Sequence, residues 1–491
     1  MEKYKIYNTH THIFTIDHVP NKFGKKLLPL GLHHLITMRL VKWYYSNFTS
    51  RGNYKYKVLK NKIDSLKYEI KEFFKKTIVI HLFLSIVFFF ARWIFKIFIN
   101  FFRVDFIFSK STRETINRFL TLGRYSLYKT QSKIFDLLSK SYDSNTSFVV
   151  LSMDMDYMDA SNPGISYMDQ LEDLKQLKQK KGDKMLPFLF LDPRRIKQTK
   201  HLKKYENYEN YAKHLLDSQC FSGIKMYPAL GYYPFDKELI SMYKFAVERN
   251  IPIVSHCIEG TVFYRGKKEK EWNAHPVLKY NAKEGNMAAI PLPQKDNYHF
   301  TTNFTHPLNY HCLLNKDLLK EYLGNDYEEG LDLSKLKICL AHFGGEDEWK
   351  KYLNDGWNNY NKNISHLSKS EYDTYYQKYR NTLNHENQRT MWWNASWLSV
   401  IYDLMVVYEN VYADISFIIH DESLFPLLKF ILEDGKVKNK VLFGSDYYVV
   451  SQKDTEKDLH YNLRGYLGET LFKLISNENP RKFLSTTMKQ Y

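Results

Sequence analysis

Eight short apolar runs recur along this chain, each followed by a longer stretch, and that alternation constrains the fold more than any other feature. The runs are Lys5–Thr9, Ser147–Ser152, Leu186–Leu191, Gly223–Tyr227, Ile251–Ser255, Leu336–Ala341, Val411–Ile415 and Lys440–Gly444. They are rich in Val, Ile, Leu and Phe, as strands covered on both faces must be. Between them, Lys237–Arg249 and Trp397–Tyr408 have the apolar spacing of helices. Strand alternating with helix eight times predicts an α/β fold, a (β/α)8 barrel. An open doubly wound sheet would alternate in the same way, so the residues at the strand ends must decide.

Those ends are polar. The first run leads into His10-Thr11-His12, and residues two apart on a strand share a face, so both imidazoles project together. Run five ends at His256, run six at His342 followed by Phe343-Gly344-Gly345, and run eight at Asp446. Any one of these is an ordinary strand-end polar group. In a barrel, however, the C-terminal ends of all strands meet at one mouth, and the residues become neighbours able to hold a divalent metal. An open sheet offers no such convergence.

HTH after the first run, His256, AHFGG (341–345) and FGSD (443–446) together resemble the amidohydrolase superfamily, in its amidohydrolase-related branch of decarboxylases and lactonases. GIKMYPALGYYP (223–234), VYADIS (411–416) and NPRKFL (479–484) add local matches. The resemblance covers the first strand and most of residues 146–485. It implies His10, His12, His256 and Asp446 as ligands of a divalent metal, zinc first, with manganese or iron as alternatives. It implies that Asp446 doubles as the general base toward water and that His342 polarises a substrate carbonyl or stabilises developing negative charge. Lys225 is compatible with three roles: a carboxylated bridge between two metals, an anchor for a substrate anion, or a structural lysine. Asp154, Asp156 and Asp192 either support the site from behind or cap loops. The histidines of the excursion after the fifth run, His275, His299, His306 and His311, lack fixed ligand spacing and are expected on the surface or in a lid.

The strands are unevenly spaced. About 140 residues separate the first two runs, where a plain βα unit needs roughly 30. Long excursions also follow the fifth and sixth. The expected organisation is a barrel formed by 1–19 and 141–491, interrupted by a basic, helical insertion over 20–140. Residues 22–76 of that insertion carry fourteen Lys or Arg against three acids, which accounts for most of the net charge of +17. No nucleic-acid reader motif accompanies them, so nucleic acid is not expected as a partner.

Residues 78–102 form an apolar stretch long enough to suggest a membrane span. A single crossing would separate His10 from the other site residues. Arg92 and Lys96 also fall on one polar stripe of a helix and would be costly at mid-bilayer. Three arrangements remain open: a helix lying at a membrane surface, a helix covered by protein or an oligomer partner, and an in-and-out hairpin. Cys220, Cys257, Cys312 and Cys339 are too far apart for a zinc ribbon, and together with the lack of a secretory signal they predict buried thiols in a reducing, cytoplasmic setting. The expected activity is metal-dependent hydrolysis of an amide, lactone or ester-like bond in a small molecule. Non-oxidative decarboxylation and a non-catalytic, membrane-associated barrel are the alternatives.

Overall fold

Each apolar run pairs with the next run in the chain, and the eighth returns to the first. In the computed structural model, which describes residues 4–27, 29–34, 37–48, 64–65, 130–283, 286–292, 296–356, 388–450 and 453–486, the strands are β1 (Ile6–Thr11), β2 (Thr146–Leu151), β3 (Met185–Phe190), β4 (Gly223–Met226) and β5 (Ile253–His256), then β8 (Ile338–Ala341), β9 (Val411–Asp414) and β10 (Val441–Leu442). All pairings are parallel, in the order β1-β2-β3-β4-β5-β8-β9-β10. The seam between β10 and β1 is closed by Thr9 N–H to Phe443 O (2.9 Å), Asp446 N–H to His10 O (2.9 Å) and His12 N–H to Tyr447 O (2.6 Å). Gly444 makes this approach feasible, since a Cβ there would lie 2.7 Å from the His10 Cβ. The fold is the expected α/β barrel.

Alternation along the strands sorts the side chains into two layers. Val149, Leu151, Phe188, Val254, Cys339, Ala341, Tyr412 and Leu442 fill the barrel, joined by Phe483 from the last helix, Asn479–Leu484. The opposite faces pack against the surrounding helices in one larger core. That last helix is tied down by Asn479, whose side-chain amide donates to Lys438 O and Val441 O, both at 2.8 Å. Several helices start on side-chain caps: Thr130, Ser166, Asp192, Asn207, Ser396 and Thr455 each accept from the first turn that follows. The expected helix at 237–249 is a short 3₁₀ turn, Lys237–Leu239, running into Ile240–Arg249.

Long excursions follow the fifth and sixth barrel strands, as the spacing predicts. After β5 the chain forms an antiparallel hairpin, β6 (Ala274–Lys283) with β7 (Asn286–Pro291), and then short helices including Leu308–Leu314 and Lys316–Leu323. The excursion after β1 starts on the barrel: Val19, Phe23, Met38 and Val41 are buried in the main core, and Lys22 N–H donates to Ala160 O. Helix Gln131–Ser139 returns through the same core, burying Ile134, Phe135 and Leu138. The apolar stretch 78–102 lies outside the described residues. Among the described residues, no helix is long and apolar enough to cross a membrane. The four cysteines are free, three of them buried.

Candidate metal centre

The barrel mouth brings the strand-end residues together. His10 and His12 leave β1 on the same side, and both are buried. Asp446, which follows β10, adopts φ +62, and His342, which follows β8, adopts φ +65. A non-glycine residue in this left-handed region is uncommon and carries strain, which the packing around both residues must hold in place. In AHFGG, Gly345 makes the turn fit, because a Cβ there would lie 2.4 Å from the Ile258 side chain.

The imidazoles are oriented with one nitrogen engaged and the other left over. His10 Nδ1 lies 3.0 Å from Asp414 Oδ2, His12 Nδ1 lies 3.1 Å from Leu151 O, and His256 Nδ1 lies 3.2 Å from His342 Nε2. The Nε2 atoms of His10 and His256 are buried with no hydrogen-bond partner among the described residues. Those of His10 and His12 lie 3.7 and 3.5 Å from Asp446 Oδ1. Burial, joined by the Lys225 charge, pushes His10 well below its ordinary pKa and His12 down to about 3; His256 is likewise well below, through burial first and then its neighbour His342. Neutral imidazoles with a free Nε2 and an acceptor on Nδ1 are the form in which histidine binds a metal. The donor set thus fits a divalent ion.

Donor atoms of His10, His12 and Asp446 lie close enough to share an ion, and so do those of His10, His342 and Asp414. His10 is common to both groups: its Nδ1 faces Asp414, and its Nε2, which has no hydrogen-bond partner among the described residues, lies on the side of Asp446.

Lys225 on β4 is fully buried and its Nζ has no hydrogen-bond partner among the described residues. Burial lowers its pKa to about 8, against the pull of Asp414 and Asp446. Tyr227 stacks on His256 at 3.7 Å between ring centroids. Above the histidines opens a cavity of about 110 Å³, with walls from Phe14, Phe23, Met153, Met155, Phe417 and Tyr448. His12, His256, His342 and Asp446 also border it.

No protein-family model matches the sequence, and no curated protein matches it. Among solved structures, the chain is similar to 2,6-dihydroxybenzoate decarboxylase from Rhizobium, at 13% identity over 77% of this chain and 93% of that one, with a TM-score of 0.37. It is similar to 4-oxalomesaconate hydratase from Rhodopseudomonas palustris, at 13% identity over 73% and 81%, with a TM-score of 0.36. A third is 5-carboxyvanillate decarboxylase from Novosphingobium aromaticivorans, solved with manganese, at 11% identity over 69% and 76%, with a TM-score of 0.38. At such identities and TM-scores, what those enzymes act on is a property of theirs.

Two participants were not singled out from the sequence, Asp414 and Ser416. Both belong to VYADIS, where an acid closes an apolar strand just as the other site residues do, and that was the available signal. Three of the four excursion histidines depart from the expected surface placement. His275, His306 and His311 are buried, and only His299 is exposed. His275 bonds Asn309 Oδ1 at 2.9 Å, His306 stacks on Trp392 with centroids 3.9 Å apart, and His311 meets the Tyr408 hydroxyl at 2.9 Å. His275 is held within the excursion, while His306 and His311 bolt it to the segment between β8 and β9. Asp192 caps helix Pro193–Thr199 and pairs with Arg194, while Asp154 and Asp156 both bind Arg195 at 2.6 Å.

Proposed function

We propose that this barrel is a metal-dependent hydrolase that cleaves an amide, lactone or ester-like bond in a small, largely apolar molecule. The observation that carries the reading is the pair of His10 and His12 imidazoles, each with Nδ1 engaged on one side and Nε2 within 3.7 and 3.5 Å of Asp446 Oδ1 on the other, where His12 and Asp446 border the cavity. His10, His12, His256 and Asp446 would hold the ion. A divalent cation bound there supplies a positive charge that draws the pKa of water from 15.7 down to about 7. Asp446 borders the cavity, and its carboxylate is the group placed to accept the proton that water gives up. Phe14, Phe23, Phe417 and Tyr448 pack against the substrate body and exclude bulk water, which strengthens every charge interaction on the floor. Lys225, buried beneath, adds a fixed or titratable positive charge to that floor.

Non-oxidative decarboxylation is the second reading, favoured by the apolar and aromatic walls. As neutral carbon dioxide leaves, the C–C electron pair stays on the substrate carbon, which takes up a proton, and a poorly solvated cavity disfavours the localised charge of the starting carboxylate. The test is protein loaded with zinc or manganese and assayed against two panels: lactones, esters and amides by acid release, and aromatic or unsaturated carboxylic acids by carbon dioxide release. Acid release supports the hydrolase. Carbon dioxide release replaces it with the second reading, and turnover no better than that of metal-stripped protein in both panels defeats both.

A further inference from the structure

Asp414 is fully buried, and a buried carboxylate persists only if its acceptor capacity is met by donors. The donors are His10 Nδ1 at 3.0 Å, the His342 and Ser416 backbone N–H groups at 3.1 and 3.0 Å, and the Ser416 hydroxyl. Cys339 Sγ adds a weak contact at 3.6 Å. The serine has a single proton, and a carboxylate can only accept, so that proton goes to Asp414. Ser416 Oγ is then an acceptor toward His342 Nδ1, 2.9 Å away. With a proton on Nδ1, a neutral His342 must accept at Nε2, and the group within reach is His256 Nδ1 at 3.2 Å. His256 therefore carries its proton on Nδ1 and leaves Nε2 bare, which agrees with the orphan status of that atom.

We infer that Asp414 sets the tautomers of two metal-ligand histidines at once, His10 directly and His256 through a Ser416–His342 relay. Asp414, Ser416 and His342 are positioning residues. The chain leaves β9, crosses to the turn after β8 and ends on β5, so it ties the two sides of the mouth to one charge. His342, which the sequence resemblance would place on the substrate, here has its Nε2 engaged by His256.

The inference rests on the metal site of the proposed function, and the test separates the two. Zinc affinity of the full-length protein is measured by competition with a chelator, with near-ultraviolet circular dichroism reporting the fold. Support from behind a ligand histidine typically changes metal affinity about 10–100-fold. Ser416→Ala and His342→Leu should each weaken zinc within that range, and the double variant should lose no more than the worse single one. His342→Gln keeps one acceptor and one donor, and should restore affinity. Asp414→Asn should lose the most, because both branches end there. Wild type that holds no zinc defeats the metal site itself. Wild type that holds zinc defeats the relay alone if Ser416→Ala and His342→Leu bind equally well, if their losses simply add, or if Gln fails to rescue. A wild-type stoichiometry of two falling to one in Asp414→Asn would make Asp414 a ligand and also overturn the inference.

Discussion

Two groups of buried histidines can be compared in this molecule, one at the barrel mouth and one in the excursion after β5. Both are desolvated, and in both burial is the main force that lowers the pKa. They differ in what the second nitrogen does. In the excursion, His275 uses both: Nε2 faces Asn309, and Nδ1 accepts from the Val277 and Leu278 N–H groups. His306 likewise faces Trp392 O with Nε2 and accepts from Leu308 N–H with Nδ1. At the mouth, the Nε2 atoms of His10 and His256 are left without partners among the described residues. The excursion histidines His275 and His306 are thus satisfied within the fold, whereas His10 and His12 at the mouth turn their second nitrogen toward the Asp446 carboxylate.

The largest expected effect tests that distinction directly. The double change His10→Ala, His12→Ala should abolish tight metal binding, whereas His275→Gln should leave the metal content unchanged. Elemental analysis of purified proteins decides it, and a full metal complement in the double variant would erase the contrast. Next comes Asp446→Asn. With zinc supplied in excess, turnover should fall at least 10²–10⁴-fold at every accessible pH, the usual contribution of a positioned general base. Recovery at high pH would reduce Asp446 to a group that tunes water without accepting its proton. A smaller effect is expected from His306→Ala, which removes a ring stacked on Trp392 and leaves Leu308 N–H without its acceptor. A loss of roughly 2–4 kcal/mol in urea unfolding, with metal retained, fits a structural histidine.

The barrel was legible because parallel strands buried on both faces are continuous apolar runs, and eight such runs appear in order. Their edges moved by a residue or two. β10 is the extreme case, spanning only Val441–Leu442, with Gly444 just beyond it giving room for the close approach of β1 at His10. His10, His12, His256, His342 and Asp446 were legible for a geometric reason, since barrel topology makes strand ends neighbours whatever their separation in sequence. Asp414 and Ser416 were not, because their part is read only once β9 is known to lie between β8 and β10. The excursion histidines were misplaced for a similar reason. Their burial comes from Trp392 and Tyr408, 86 and 97 residues further on, and local spacing does not encode such partners.

The smallest predicted effect concerns acid, and it sharpens the same comparison without touching the metal. Burial holds His275 and His311 each at about 4, below the ordinary value of about 6.5. For such a group the unfolded chain binds a proton that the native chain refuses between those two values. Stability is therefore full above about pH 6.5 and falls as pH drops toward 4. A shift of this size corresponds to on the order of 3 kcal/mol for one fully buried histidine, spread over that window. His275→Gln cannot titrate and keeps a partner for Asn309, so its stability should decline less steeply between pH 6.5 and 4 than that of wild type. Urea unfolding of metal-free protein at several pH values in this window measures the slope. Slopes that coincide for the two proteins would mean that His275 is protonated equally in the folded and unfolded chains, and the excursion would then lack the satisfied, neutral histidine that distinguishes it from the mouth.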